Sequence, residues 1–109
     1  MKITLNDLTL EEKVGQMLMF AFHGTEFNED IKTRLTKFHV GGVIHFAKNI
    51  VDAKQVTQLN KDIIDNSKVF PFIGIDQEGG IVQRIIKDVT PFPGAMALSA
   101  TGEDITKLC

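Results

Sequence analysis

The chain has 109 residues, a hydrophobic fraction of 43% and a net charge of −2 from 12 basic and 14 acidic side chains. This is the make-up of one ordinary globular domain, and its interspersed charges offer no electrostatic footprint for nucleic acid or an anionic membrane surface. The only cysteine, Cys109, excludes an intramolecular disulfide and any CxxC metal or redox site, and no run approaches the roughly 18 apolar residues of a membrane span.

The opening segment Met1-Lys2-Ile3-Thr4-Leu5-Asn6-Asp7 has no apolar signal core, so a cytoplasmic location is expected. Thr9 with Glu12 three residues later forms a capping box. Val14, Met17, Leu18 and Ala21 follow at helical spacing, and Gly24 is a plausible stop. This pattern predicts one helix running from Leu10 toward Gly24. Asn28 can cap a second helix whose buried face is Ile31, Leu35 and Phe38. Val40 to Phe46 is a nearly continuous apolar run and reads as a buried strand. Asp52 with Gln55 is a second capping box, and Val56, Leu59 and Ile63 form the apolar stripe of that helix. Val69 to Ile75 reads as the next strand, with Pro71 setting its start at the rim because proline cannot donate within a ladder. Gly79 to Pro93 reads as a long loop, and Thr101 with Asp104 as the opening of another helix. The order is helix, helix, strand, helix, strand, loop, helix. Strands separated by helices imply an α/β fold with parallel pairing and right-handed crossovers.

The chemistry concentrates where the second strand ends. Phe72-Ile73-Gly74-Ile75 runs into Asp76-Gln77-Glu78-Gly79-Gly80-Ile81-Val82-Gln83-Arg84. Ligands of α/β proteins bind at the carboxyl ends of strands. A carboxylate and a guanidinium there, with glycines that let backbone come close, suit a hydroxyl-rich ligand. Asp76 can accept hydrogen bonds from two sugar hydroxyls, or cap the loop by bonding nearby amides. Arg84 can hold adjacent hydroxyls in its planar fork, or serve only as a salt bridge to Asp76 or Glu78. Asp76 and Glu78, two residues apart, invite comparison with the paired carboxylates of a retaining glycosidase. The Gly-Gly turn breaks that spacing, and an ion pair or loop hydrogen bond is the better expectation for Glu78. His23, His39 and His45 lack the spacing of metal ligands, so no metal or cofactor is expected. His45 either points into a barrel or is a hydrogen-bonded core residue, and the second is favoured. Lys48 and Asn49 either line the site or satisfy loop backbone. No G-x-G-x-x-G or Walker lysine supports a phosphate cradle.

The Asp76–Gly80 motif, the Gln83-Arg84 pair and Phe92-Pro93-Gly94-Ala95-Met96-Ala97-Leu98 closely resemble the N-terminal barrel domain of glycoside hydrolase family 3, in its β-N-acetylhexosaminidase branch. Leu10 to Met17 resembles that family's opening helix. Gly41-Gly42-Val43-Ile44-His45-Phe46-Ala47-Lys48-Asn49 resembles its first strand and following loop, and Asp52 to Asn66 its next helix. The resemblance covers about Leu8 to Thr101. It implies the N-terminal portion of a (β/α)8 TIM barrel, ending after about two and a half βα units, since a whole barrel takes about 250 residues. It further implies that Asp76 binds the sugar in the −1 position, that Arg84 also contacts the substrate, and that Glu78 has no catalytic role. No residue here matches the family's acid/base or nucleophile. The implied substrates are β-linked N-acetylhexosaminides cleaved with retention, with a β-glucosidase of the same family or a non-catalytic partial barrel as alternatives. Ile81 stands where many relatives of the hexosaminidase type carry arginine. The eight Phe, with neither Tyr nor Trp, leave the usual sugar-stacking rings missing or further on. Strands built for an eight-stranded barrel would expose edges and apolar faces, so self-association is expected.

Overall fold

The computed structural model describes residues 3–102, and they form a three-stranded parallel sheet in the order β1-β2-β3 with helices packed on one face. The strands are β1 (Met19–Phe20), β2 (Gly42–His45) and β3 (Phe72–Ile75). The helices are α1 (Leu10–Gln16), α2 (Glu29–Thr36), α3 (Ala53–Asp65) and α4 (Ala95–Ala100). The parallel pairing of β2 with β3, connected through α3, matches the sequence expectation.

The helix starts follow local chemistry. Thr9 accepts from the Glu12 amide and Glu12 reaches back to the Thr9 amide, which completes the first capping box. Asn28 accepts from the Ile31 amide and Asp52 from the Gln55 amide. The second box is only half built, because the Gln55 side chain accepts from Val51 and not from Asp52. Its amide nitrogen instead donates to the carbonyls of Thr25 and Asn49.

The first helix is shorter than its apolar spacing predicts. It ends at Gln16, and Met19–Phe20 is a strand that sequence spacing assigned to the helix. Tertiary pairing decides this. The amides of Gly41 and Gly42 donate to the Leu18 carbonyl at 3.1 and 3.2 Å, and the Gly41 amide also reaches the Gly15 carbonyl. The approach needs two glycines. A Cβ on Gly15 would lie 2.1 Å from the Phe38 carbonyl oxygen, and one on Gly41 would lie 2.2 Å from that of Gln16. The strand ending in Asp76 is therefore the third of the chain, not the second.

One face of the sheet meets α2 and α3. The core there is Phe22, Ile31, Leu35, Val40, Val43, Leu59 and Ile63, with Phe20, Phe27 and Ile73 packed against it. Phe38, expected on the buried face of α2, is 53% exposed. The helix stops at Thr36 and His39 adopts a φ of 51°, so the chain turns away before Phe38 can join the stripe. β3 starts at Phe72 and not at the expected Val69, because Pro71, fully buried just before it, has no N–H to donate to the ladder. Thr101 caps the end of α4, and the helix expected to open at Thr101 with Asp104 lies outside the described residues.

The other sheet face carries Met19, Gly42 and Phe72, which lie side by side in the ladder. Here too glycine is required, since a Cβ on Gly42 would meet Met19 Cε at 2.8 Å and the Phe72 oxygen at 2.9 Å. On this face Met19 and Phe72 are both exposed.

Candidate functional site at the strand ends

Strand alternation places the site. His45 and Ile75 are ladder partners, so Phe46 and Asp76, one step further, share the open face away from α2 and α3. Arg84 returns to this point from the loop. Its Nη2 lies 3.4 Å from Asp76 Oδ2, and its guanidinium carbon sits 5.9 Å from the centre of the Phe46 ring. The Arg84 side chain is 25% exposed and that of Asp76 39%. An ion pair this long and this open contributes on the order of 0–1 kcal/mol. Stability alone is thus a weak reason for the pairing. The Arg84 Nε is buried and meets no acceptor among the described residues.

A folded loop delivers Arg84. Gly79 and Gly80 take φ values of 86° and 59°, which L side chains rarely adopt. A Cβ on Gly79 would also fall 2.5 Å from the Pro93 oxygen. The Glu78 amide donates to the Val82 carbonyl, and Gly80 and the Gln83 side chain both donate to the carbonyl of Phe92. The Gln77 side chain makes three bonds to Arg84 and Ile85 backbone.

The expected neighbours separate into two groups. Asn49 is fully buried and builds the scaffold. It accepts from the Phe46 amide and donates to the carbonyls of Phe22 and Gly24, which ties the loop after β1 to the loop after β2. Lys48 is exposed, with Nζ 3.5 Å from His23 Nε2. Together with Phe46, Ala47 and Arg84 it lines an open cleft of about 470 Å³. Phe46 is the site residue that sequence reasoning missed. Its signal was its position one residue past a strand end.

Glu78 makes no ion pair among the described residues, contrary to one half of its expectation. The nearby cations are engaged elsewhere, Arg84 with Asp76 and Lys87 with Asp52. Its backbone amide donates to the Val82 carbonyl, but no loop hydrogen bond of its carboxylate occurs among the described residues. Its side chain lines a separate cavity with Gln77, Gln83 and Phe92. Asp76 is not among the residues of that cavity and pairs instead with Arg84. His45 is a core residue. It shares the Val43 face, packs edge-on to Phe22 at 5.5 Å, and its Nε2 lies 2.6 Å from Asn60 Oδ1. Burial lowers its pKa from the ordinary value, and the Asn60 hydrogen bond opposes this. No group of three or more His, Cys, Asp or Glu that could hold a metal ion occurs among the described residues.

Parallel strands joined by helices, with an acid, a guanidinium and an aromatic ring gathered at the carboxyl ends, form a segment of a (β/α)8 barrel. The model of the glycosyl hydrolase family 3 N terminal domain matches residues 9–107, and the chain belongs to that family. It is 39% identical over 80 residues to a beta-hexosaminidase of Photobacterium profundum, and 39% over 83 residues to one of Thiobacillus denitrificans. Those matches take in 73% and 76% of this chain but only 24% and 23% of the relatives, so the chain spans about a quarter of their length. Among solved structures, a family 3 beta-N-acetylglucosaminidase from Paenibacillus sp. aligns with a TM-score of 0.85 at 42% identity, over 88% of this chain and 19% of that one. NagZ from Neisseria gonorrhoeae, in complex with N-trifluoroacetyl-D-glucosamine, aligns with a TM-score of 0.65 at 32% identity, over 70% of this chain and 22% of that one.

Proposed function

We propose that this chain supplies the sugar-holding wall of a retaining glycoside hydrolase acting on β-linked N-acetylhexosaminides. The observation that carries the reading is the Asp76–Arg84 pair, set at the end of β3 beside Phe46 in a family 3 chain. Asp76 accepts hydrogen bonds from two sugar hydroxyls, and Arg84 donates to their neighbours. Such contacts position a sugar and tighten as positive charge builds on its ring. Cleavage further requires a nucleophile and a proton donor flanking the bond. The strand-end carboxylates described here are Asp76 and Glu78, and the proposal assigns neither role to them, since Asp76 is engaged by Arg84 and Glu78 lines a cavity that Asp76 does not. The chain by itself thus binds without turning over. The names of the relatives favour an N-acetylhexosaminide over the glucoside of the alternative β-glucosidase reading. Titrating the isotope-labelled chain with N-acetylglucosamine and with glucose tests this, since the proposal requires the former to perturb Phe46, Asp76 and Arg84 signals more strongly.

A second reading concerns assembly. The exposed Met19 and Phe72, side by side in the ladder, and the sheet edges left free among the described residues favour pairing with another copy. Self-association of the isolated chain is therefore part of the proposal. So is a cytoplasmic location, which cell fractionation of the native host tests.

A further inference from the structure

We infer that Gln77 is the positioning residue of Arg84. The inference rests on the reading of Asp76 and Arg84 as the sugar-holding pair. Gln77 Oε1 accepts from the backbone amides of both Arg84 and Ile85, at 2.8 and 3.1 Å. Its Nε2 donates to the Ile85 carbonyl at 2.9 Å. One side chain thereby satisfies three backbone groups on the far arm of the loop, as a partner strand would. Among the described residues no backbone group offers Arg84 and Ile85 this service. The backbone bridge of the loop joins Gly79 to Val82 and stops short of them.

The placement matters because of sequence order. Gln77 directly follows Asp76, so the residue that grips the Arg84 backbone is bonded covalently to the residue that meets the Arg84 side chain. Anchoring both ends of Arg84 to adjacent positions fixes the distance from guanidinium to carboxylate. The ion pair itself is too open to do this alone. The chemistry also selects the amide. Two N–H groups need an acceptor and one carbonyl needs a donor, and glutamine is the side chain that offers both at this reach. Glutamate keeps the acceptor and loses the donor, setting a carboxylate against the Ile85 carbonyl. Alanine loses all three bonds. A holder that acts before the ligand arrives lowers the ordering cost of binding.

The test is NMR on the 109-residue chain and its Gln77→Ala, Gln77→Glu and Asp76→Ala variants, with N-acetylglucosamine as the probe. The buried Arg84 Nε–H is expected to give a distinct, slowly exchanging signal in the parent chain. In Gln77→Ala that signal collapses to the position of a free arginine, and Arg84 and Ile85 amide exchange speeds about tenfold, the size of one to two lost hydrogen bonds. Protection of the β2 and β3 amides stays unchanged, which separates repositioning from unfolding. Gln77→Glu falls between the two. An Arg84 Nε–H signal that is the same in Gln77→Ala as in the parent overturns the inference, whatever the sugar does. If the signal collapses in Gln77→Ala but the sugar never perturbs it in the parent, the positioning of Arg84 by Gln77 stands and the sugar-holding reading fails. If Asp76→Ala weakens sugar binding and Gln77→Ala does not, the sugar-holding reading stands and the positioning role is refuted.

Discussion

His45 of β2 and Asn60 of α3 are joined by a 2.6 Å hydrogen bond inside the sheet–helix interface, with His45 only 1% exposed. Asn60 Oδ1 is an acceptor, so the imidazole Nε2 carries the proton and donates. The Nδ1 is then unprotonated, buried and without a partner among the described residues. Adding a proton there would place a charge where no acceptor meets it.

This arrangement sets a pH dependence. Burial lowers the folded-state pKa of His45 below the ordinary value of about 6.5. Above that value His45 is neutral in both states and has no pH-dependent effect. As pH falls through it, the unfolded chain takes up a proton that the folded chain refuses, and stability declines. The decline levels off below the lowered folded pKa. Urea denaturation from pH 8 to pH 5 is expected to show falling midpoints, and His45→Gln to flatten that fall.

Asn49 makes a larger contribution to the fold than its loop position suggests. Asn49→Ala strips partners from the Phe46 amide and from the carbonyls of Phe22 and Gly24 in a fully buried setting. A loss of about 2–4 kcal/mol is expected, at about 1–3 kcal/mol for each buried group left unpaired and partly regained by water. Urea unfolding of this variant beside the parent measures it. Lys48→Ala, one residue away and exposed, should change stability by less than about 0.5 kcal/mol.

Gly15 is where α1 presses on the turn before β2. A methyl group there would sit 2.1 Å from the Phe38 oxygen and 2.7 Å from that of His39, both backbone. Helix propensity favours alanine over glycine by roughly 1 kcal/mol. The overlap opposes it and cannot be relieved by a rotamer change. Gly15→Ala is expected to destabilise by about 2 kcal/mol or more, through displacement of α1. A raised melting temperature would show that α1 docks differently.

The proposed self-association runs through the open sheet face. Replacing Phe72 and Met19 with polar residues should shift the chain toward monomer in light scattering at high concentration, because both are exposed and lie in one row of the ladder. A parent chain that is already monodisperse and monomeric would count against this.

Much of the architecture was legible because it is local. Thr9, Asn28 and Asp52 announce helix starts through bonds to amides three residues on, and Val56, Leu59 and Ile63 mark a stripe that no distant contact rearranges. Met17 to Phe22 was misread because an unbroken apolar run fits a helix face and a buried strand equally well. What decides it is the Leu18 carbonyl meeting Gly41 and Gly42, a pairing more than 20 residues distant. The site divides along the same line. Asp76 and Arg84 could be named from a strand end and its loop. Phe46, and the separation of Lys48 from Asn49, depend on the register of β2 against β3 and on where the loop after β1 lies. Gln77 was passed over because an amide's value lies in which backbone groups come within its reach.

The central claim is that Asp76 and Arg84 hold a sugar without cleaving it. The most direct measurement pairs an N-acetylglucosamine titration with a chromogenic N-acetylglucosaminide assay, on the 109-residue chain and its Asp76→Ala and Arg84→Ala variants. The account expects saturable binding by the parent, affinity reduced about tenfold or more in each variant, and no turnover by any of the three. Binding unchanged by both substitutions would contradict the claim. So would turnover by the parent chain that disappears in Asp76→Ala, because Asp76 would then be a catalytic carboxylate.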